Sequence, residues 1–296
     1  MTTNTLYHKA KLTVRRADHM GMCFGVRDAI ALAKREAAMA PLTVLGELVH
    51  NATVLRELSR SGVNFENQPE HVQTASAMIT AHGTSDGARA RAESAGLQLH
   101  DATCPLVHQA HRQLQGLVAQ GYHPVVIGRA NHVEVRGMTD DLNVVDVVLS
   151  EQEVRRMAAR ERFGVVAQTT QPIARVRLLV GQIRQTFPKA EVKFVDTVCQ
   201  PTKQRQSAAE SLSRQSDVVF VVGGVNSNNT KELTRTCGRY CEAVYHVQGP
   251  EDIRAEWLPW GGVAGLTAGT STPDTLIDAV EQRLIELSAR SEKEVA

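Results

Sequence analysis

The chain of 296 residues has no surplus of charge. Its 33 Lys and Arg stand against 32 Asp and Glu, a formal net charge of +1. With no basic stripe along the sequence, nucleic acid is not an expected partner. No apolar run approaches the roughly 20 residues of a membrane span. The polar residues 1–11 lack the apolar core of a secretory signal, so a cytoplasmic protein is expected. Cysteine is scarce: there are five, an odd number, and no C-x2-C pair. That argues against a disulfide framework and against the usual structural zinc site. No Pro/Ser-rich linker divides the chain. Neither a G-x-x-x-x-G-K-[ST] loop nor a Rossmann fingerprint occurs, which makes a nucleotide a poor candidate ligand.

What remains is 42% hydrophobic residues, ample for a core of two or three compact units. Short β-rich runs at 11–14, 42–45, 77–81, 97–100, 123–128, 144–149, 164–167, 192–195, 217–222, 242–247 and 263–267 alternate with helical patterns. Strands alternating with helices predict parallel sheets. There is no exact repeat. Three strand–cysteine–helix joints, at Cys23, Cys104 and Cys199, nevertheless recur at the spacing of a small α/β module. They point to three similar lobes, 25–103, 104–198 and 199–288, joined by a strand in 11–24. The tail 291–296 is expected to fray.

The reactive residues obey one positional rule. Cys23, His50, His82, Cys104, His132, Glu134, Thr169, Cys199, Ser227, Asn229 and Ser271 each follow a strand directly. In open α/β sheets that is where ligands bind. Asp101-Ala102-Thr103-Cys104-Pro105 combines cap residues with a proline suited to a first helical turn. Three thiolates so placed suit a metal or a [4Fe–4S] cluster, which normally takes four. Each cysteine taken alone has a competing reading as a buried thiol. Cys237 and Cys241 are read as structural, on opposite sides of a helix end capped by Gly238. His50, His82 and His132, with Ser227, Asn229 and Ser271 and helix N-termini expected at Thr230 and Pro273, form a donor-rich, largely uncharged anion pocket fit for a phosphate or diphosphate. His8, His19, His108 and His111 have structural readings. Glu134, in an expected loop two residues beyond His132, is a candidate general acid.

Together these motifs resemble the LytB/IspH family of 4-hydroxy-3-methylbut-2-enyl diphosphate reductases. The resemblance rests on Gly21-Met22-Cys23-Phe24-Gly25-Val26, Leu48-Val49-His50-Asn51, Ala81-His82-Gly83, Asp101 to Val107, His132-Val133-Glu134-Val135, Gln168-Thr169-Thr170, Asp196 to Cys199, Asn226 to Asn229 and Thr267 to Asp274. It implies three parallel-sheet α/β lobes around one [4Fe–4S] cluster bound by Cys23, Cys104 and Cys199, with one iron open to substrate. It implies that His50, His82, His132, Ser227, Asn228, Asn229 and Ser271 hold the diphosphate, and that Glu134 and Thr169 relay protons. The reaction implied is loss of the allylic hydroxyl through an allyl species, giving isopentenyl and dimethylallyl diphosphate, the last step of the non-mevalonate pathway. The implied electron donor is a ferredoxin or flavodoxin with its reductase.

Three positions depart from the family pattern. Val133 stands where Pro is usual, Met22 where Phe commonly precedes the first cysteine, and Asn228 where a second Ser is usual. The last exchanges a hydroxyl for a larger amide at the diphosphate and bears on substrate identity. A relative acting on another allylic diphosphate, or a non-catalytic iron–sulfur sensor, are the alternatives.

Overall fold

The computed structural model describes residues 12–259 and 261–293. Strand β1 (Thr13–Arg16) leads through Cys23 to α1 (Phe24–Met39). Then follow β2 (Leu42–Leu45), α2 (Ala52–Arg60), β3 (Val63–Glu66), β4 (Ser76–Ile79), α3 (Asp86–Ser94) and β5 (Gln98–Asp101). Cys104 opens the next series: α4 (Pro105–Ala119), β6 (His123–Ile127), α5 (Val133–Thr139), β7 (Asp146–Val148), α6 (Glu151–Arg156), β8 (Arg162–Ala167), α7 (Ile173–Thr186) and β9 (Glu191–Phe194). After Cys199 come α8 (Gln200–Ser213), β10 (Val218–Val222), α9 (Asn228–Cys237), β11 (Val244–Val247), β12 (Val263–Ala268) and α10 (Asp274–Lys293).

The strands form three sheets of four, ordered β3-β2-β4-β5, β7-β6-β8-β9 and β1-β12-β10-β11, and every pairing is parallel. Central strands such as β10, Val-Val-Phe-Val-Val, are buried along their whole length, as expected where helices cover both faces. The first two sheets share one topology: first and third strands adjacent in the middle, second and fourth at the edges. The third sheet repeats it with β10, β11 and β12, but takes its fourth strand, β1, from the opposite end of the chain. The parallel α/β fold with three such sheets is the one expected from the sequence.

This topology places the reactive residues. In each sheet the neighbouring central strands send their connections in opposite directions, which opens a crevice at their carboxyl ends. The loops after β2 and β4 carry His50 and His82. Those after β6 and β8 carry His132 and Thr169, and those after β10 and β12 carry Ser227 and Ser271. The fourth strand of each sheet runs instead to a cysteine: β5 to Cys104, β9 to Cys199, β1 to Cys23. The helix after each cysteine covers the next sheet. Thus α1 packs on β2, α4 buries Ala110, Leu114 and Leu117 against Val126 and Val166, and α8 sets Ala209 against Val219 and Val221.

The described residues up to Met22 and from Gln204 onward form one compact unit, and Cys23–Lys203 form another. The first contains the sheet closed by β1, and the second contains the other two.

Several local expectations are corrected. The N-terminal strand lies at Thr13–Arg16 rather than 11–14, and residue 11, like His8, lies outside the described residues. Strand β3 was not foreseen, because only Val63 and Phe65 mark it. Glu134 is not in a loop: it sits in the first turn of α5, with His132 as the N-cap. Helix α9 begins at Asn228 rather than beyond Thr230. Helix α10 continues to Lys293, past the point where fraying was expected, and 294–296 lie outside the described residues. Cys237 and Cys241 do not face opposite ways: they share one buried cluster with Leu233 and Val219, which bears out their structural reading.

Candidate active site

Each of the three strand-end cysteines stands directly before a helix, and all are free. Cys23 and Cys104 occupy the N-cap positions of α1 and α4, and the Cys23 side chain makes no capping bond. The Cys104 amide donates to the Ala81 carbonyl at 3.0 Å, and the Cys199 amide to the Thr169 carbonyl, also at 3.0 Å. These bonds tie each cysteine to the loop that bears another predicted site residue. Burial pushes the Cys199 thiol up to about 11 and the Cys104 thiol above its ordinary value. Backbone N–H groups of Leu106, Val107 and Thr202 pull the other way, as helix N-termini do for thiolates. Such sulfurs ionise readily only beside a cation.

The surroundings fit a bulky inorganic group. A Cβ on Gly25 would lie 2.6 Å from Cys104 Sγ, so the glycine keeps space open beside that sulfur. Among the described residues, no three His, Cys, Asp or Glu side chains close on a point as they would around a single ion.

The histidines form a trio. Ring centroids of His50 and His82 are 5.0 Å apart, and each lies 5.6 Å from that of His132. Burial is the main cause that lowers His132 to about 4 and His82 well below its ordinary value, and the neighbouring rings lower them further. At neutral pH these two are uncharged, as the sequence reading of the pocket required. The Glu134 N–H donates to His132 Nδ1 at 3.2 Å, which leaves the ring proton of neutral His132 on Nε2 as a free donor. His50 Nδ1 donates to Glu47 Oε2 at 2.9 Å, so its tautomer is set by a carboxylate.

Glu134 is the one carboxylate sealed into this region, 1% exposed, with Thr169 4% exposed beside it. The Thr169 N–H donates to Glu134 Oε1 at 2.6 Å. Desolvation outweighs that bond and the Thr169 hydroxyl and raises Glu134 to about 7. A carboxyl half-protonated near neutrality is suited to donate a proton and be refilled.

The other predicted residues belong to the smaller unit. Ser227 caps α9 and accepts the Thr230 N–H at 3.2 Å. Asn229 Oδ1 accepts the Thr270 N–H at 3.0 Å, which couples the first turn of α9 to the loop after β12. Ser271 is 5% exposed. Asn228, the first residue of α9, is 3% exposed, and neither its amide nitrogen nor its oxygen has a partner. Buried unpaired amides are costly, so this one calls for a polar ligand.

Sequence reasoning missed four contributors. Glu47, the carboxylate partner of His50, is one of them. Thr202 accepts from Cys199 Sγ at 3.1 Å, and its place at i+3 after a cysteine opening a helix was the available signal. Gly25 was quoted within its motif and given no role. Arg205 is 7% exposed and donates through Nε and Nη2 to the Gly21 carbonyl at 3.0 and 2.8 Å, which holds the turn before Cys23. Nothing in the sequence around Arg205 announces it.

A family model described as "LytB protein" matches residues 14–285. The chain belongs to the LytB family. It is 34% identical over 277 residues to the 4-hydroxy-3-methylbut-2-enyl diphosphate reductase of Pelobacter propionicus, covering 93% of this chain and 98% of that one. To the enzyme of the same name from Ralstonia nicotianae it is 35% identical over 290 residues, with coverages of 95% and 89%. Among solved structures, the E-1-hydroxy-2-methyl-but-2-enyl-4-diphosphate reductase from Plasmodium falciparum superposes with a TM-score of 0.86 at 27% identity, covering 94% of this chain and 88% of that one. A structure of (E)-4-hydroxy-3-methyl-but-2-enyl diphosphate reductase, described as the terminal enzyme of the non-mevalonate pathway, gives 0.68 at 33% identity, with coverages of 93% and 99%. Two departures of this LytB chain now have a structural setting. Val133 occupies the first position of α5, where proline is well accommodated, so Val there changes stiffness more than shape. Asn228 occupies the first position of α9.

Proposed function

We propose that this chain reduces 4-hydroxy-3-methylbut-2-enyl diphosphate, closing the non-mevalonate route to isoprenoids. The substrate takes up two electrons and two protons, its allylic C–O bond breaks, and water leaves. Protonation at one or other end of the allyl unit gives isopentenyl or dimethylallyl diphosphate. The observation that carries this reading is the sealed Glu134 carboxyl, half-protonated near neutrality and braced by Thr169, within a unit that also holds three free strand-end cysteines and a trio of histidine rings.

Cys23, Cys104 and Cys199 would hold one [4Fe–4S] cluster in this reading, and that group would supply the electrons and a Lewis-acidic site for the substrate oxygen. Glu134 delivers the proton that turns hydroxide into water, a far better leaving group. Thr169 fixes the carboxyl and refills it. The diphosphate ligands in this reading are His50, His82, His132, Ser227, Asn228, Asn229 and Ser271, acting as hydrogen-bond donors together with helix N-termini. The cysteine joints bound the proposed lobes 25–103, 104–198 and 199–288. Among the described residues no helix is long and apolar enough to cross a membrane. The proposed compartment is the cytoplasm, where free thiols persist, and the proposed donor is a ferredoxin or flavodoxin with its reductase.

Anaerobically reconstituted protein with a chemical reductant should convert the diphosphate to both products. An intact cluster with no turnover would overturn the reading and favour a sensor, which needs no buried acid. The unpaired Asn228 amide favours a second reading, a different allylic diphosphate, and competition between substrates decides it by kcat/KM. Ser271→Ala should raise KM for the diphosphate roughly 10-fold or more, the loss of a hydrogen bond to a charged group, and leave the visible spectrum unchanged. Equal turnover of the non-phosphorylated alcohol would count against the pocket.

A further inference from the structure

His111 lies on α4, two helical turns beyond Cys104 and on the same face. Two glycines face its ring. A Cβ on Gly137 of α5 would lie 3.2 Å from His111 Cε1 and 3.4 Å from the backbone N and Cα of Thr84. A Cβ on Gly83 would lie 3.5 Å from the same Cε1, with Thr103 Cγ2 at 3.1 Å and Val107 Cγ1 at 3.4 Å. Both glycines neighbour functional groups: Gly83 follows His82 directly, and Gly137 is three residues after Glu134, on the same side of its helix. The ring therefore fills the space where α4, the 83–84 turn and α5 meet. It does so without hydrogen bonding at one end, because His111 Nε2 is buried and has no partner.

We propose that His111 is a positioning residue: its ring is the spacer that sets the distance of α5, and through it of Glu134, from the His82 turn. This rests on the assignment of Glu134 as the proton donor. Close packing transmits such contacts, since interiors lack the slack to absorb a displacement of a few tenths of an ångström. Proton transfer is sensitive to displacements of that order.

The test uses the cluster-loaded enzyme and begins with Gly137→Ala. Alanine favours a helix over glycine, so on stability grounds alone the change should leave the melting temperature unchanged or raise it. As a spacer contact, the new methyl presses on the His111 ring and displaces α5. The expected result is a kcat lowered roughly 10-fold, smaller than the loss expected from a 1 Å misplacement, with KM, iron content and visible spectrum unchanged. His111→Ala should also lower kcat. Combining the two should restore part of what Gly137→Ala loses, because the methyl then enters the vacated space. A kcat within twofold of the parent in Gly137→Ala, or no recovery in the double variant, overturns the proposal. Should His111→Ala fail to fold, Gly137→Ala alone decides. Adding Gly137→Ala to Glu134→Gln should cause no further loss, and an undiminished loss there also overturns the spacer. Full turnover in Glu134→Gln by itself would instead refute the proton-donor assignment.

Discussion

Replacing Glu134 with Gln should lower kcat by about 10²- to 10⁴-fold, the range lost with a general acid. The amide keeps the shape and can still accept from the Thr169 N–H, so substrate should bind and perturb the visible spectrum as before. The pH dependence follows from the direction of the shift. Burial raises the carboxyl from 4.5 to about 7, so its proton is present below neutrality and lost above it. The limb of kcat that falls with rising pH should therefore be centred near 7, and Glu134→Gln should lack it. The same shift has a consequence for the apoprotein. A folded-state pKa above the unfolded one stabilises fully below about 4.5, and the stability is lost as pH rises through about 7. Glu134→Gln escapes that loss. Its melting temperature should pull ahead of the parent's between pH 5 and 8, towards a difference of roughly 3 kcal/mol at 1.36 kcal/mol per pKa unit. Melting curves that stay parallel across that range would place the carboxyl in a wetter site than the structure shows.

Cys104→Ser should abolish turnover altogether. A serine hydroxyl is a far harder ligand than thiolate, and iron bound by anaerobically prepared protein should fall from about four per chain, the complement of this cluster type. Cys23→Ser and Cys199→Ser should behave alike. Cys237→Ser and Cys241→Ser should retain iron and colour, since both side chains pack in the α9 cluster. Gly25→Ala supplies a control that leaves every thiol in place. Its Cβ would lie 2.6 Å from Cys104 Sγ, so cluster content should fall although no ligand has been removed. Full iron in Gly25→Ala would show that the sulfur turns away once the cluster binds. Bleaching by Cys237→Ser equal to that by Cys104→Ser would overturn the ligand assignment.

The sequence made the architecture legible because its strands are short, β-rich and followed at once by reactive or turn-forming residues. The elements that escaped notice were those held by tertiary contacts rather than by propensity. Helix α5 has only seven residues, three of them β-branched and one glycine, all poor helix formers. It exists because His132 caps it and Val135 and Met138 enter the core beside α4. Helix α9 starts among Asn and Thr, residues that favour caps as much as first turns, so its first residue could not be picked from several candidates. The anion-pocket histidines were found by position alone. The neutrality of His82 and His132, the tautomer of His132 and the bracing of Glu134 by Thr169 depend on burial and on contacts that single-sequence patterns do not show. His111 looked like one more helix histidine because the two glycines that face it lie 28 residues before and 26 after it.

The closing of the third sheet by β1 sets an order of events during synthesis. Thr13–Arg16 leave the ribosome about 250 residues before Val263–Leu266, the segment with which they pair. At ~5–20 residues per second, β1 waits about 10–50 s as an unpaired strand. The Gly21 N–H donates to the Ala268 carbonyl at the end of β12, so the turn just before Cys23 lacks that bond for the same interval. Of the three proposed ligands, the first to be made thus follows the turn that is pinned last. On the proposed ligand set, assembly of a metal centre would be a post-translational event, and a nascent chain stalled before β12 should bind no stable cluster even though Cys23, Cys104 and Cys199 have already been made.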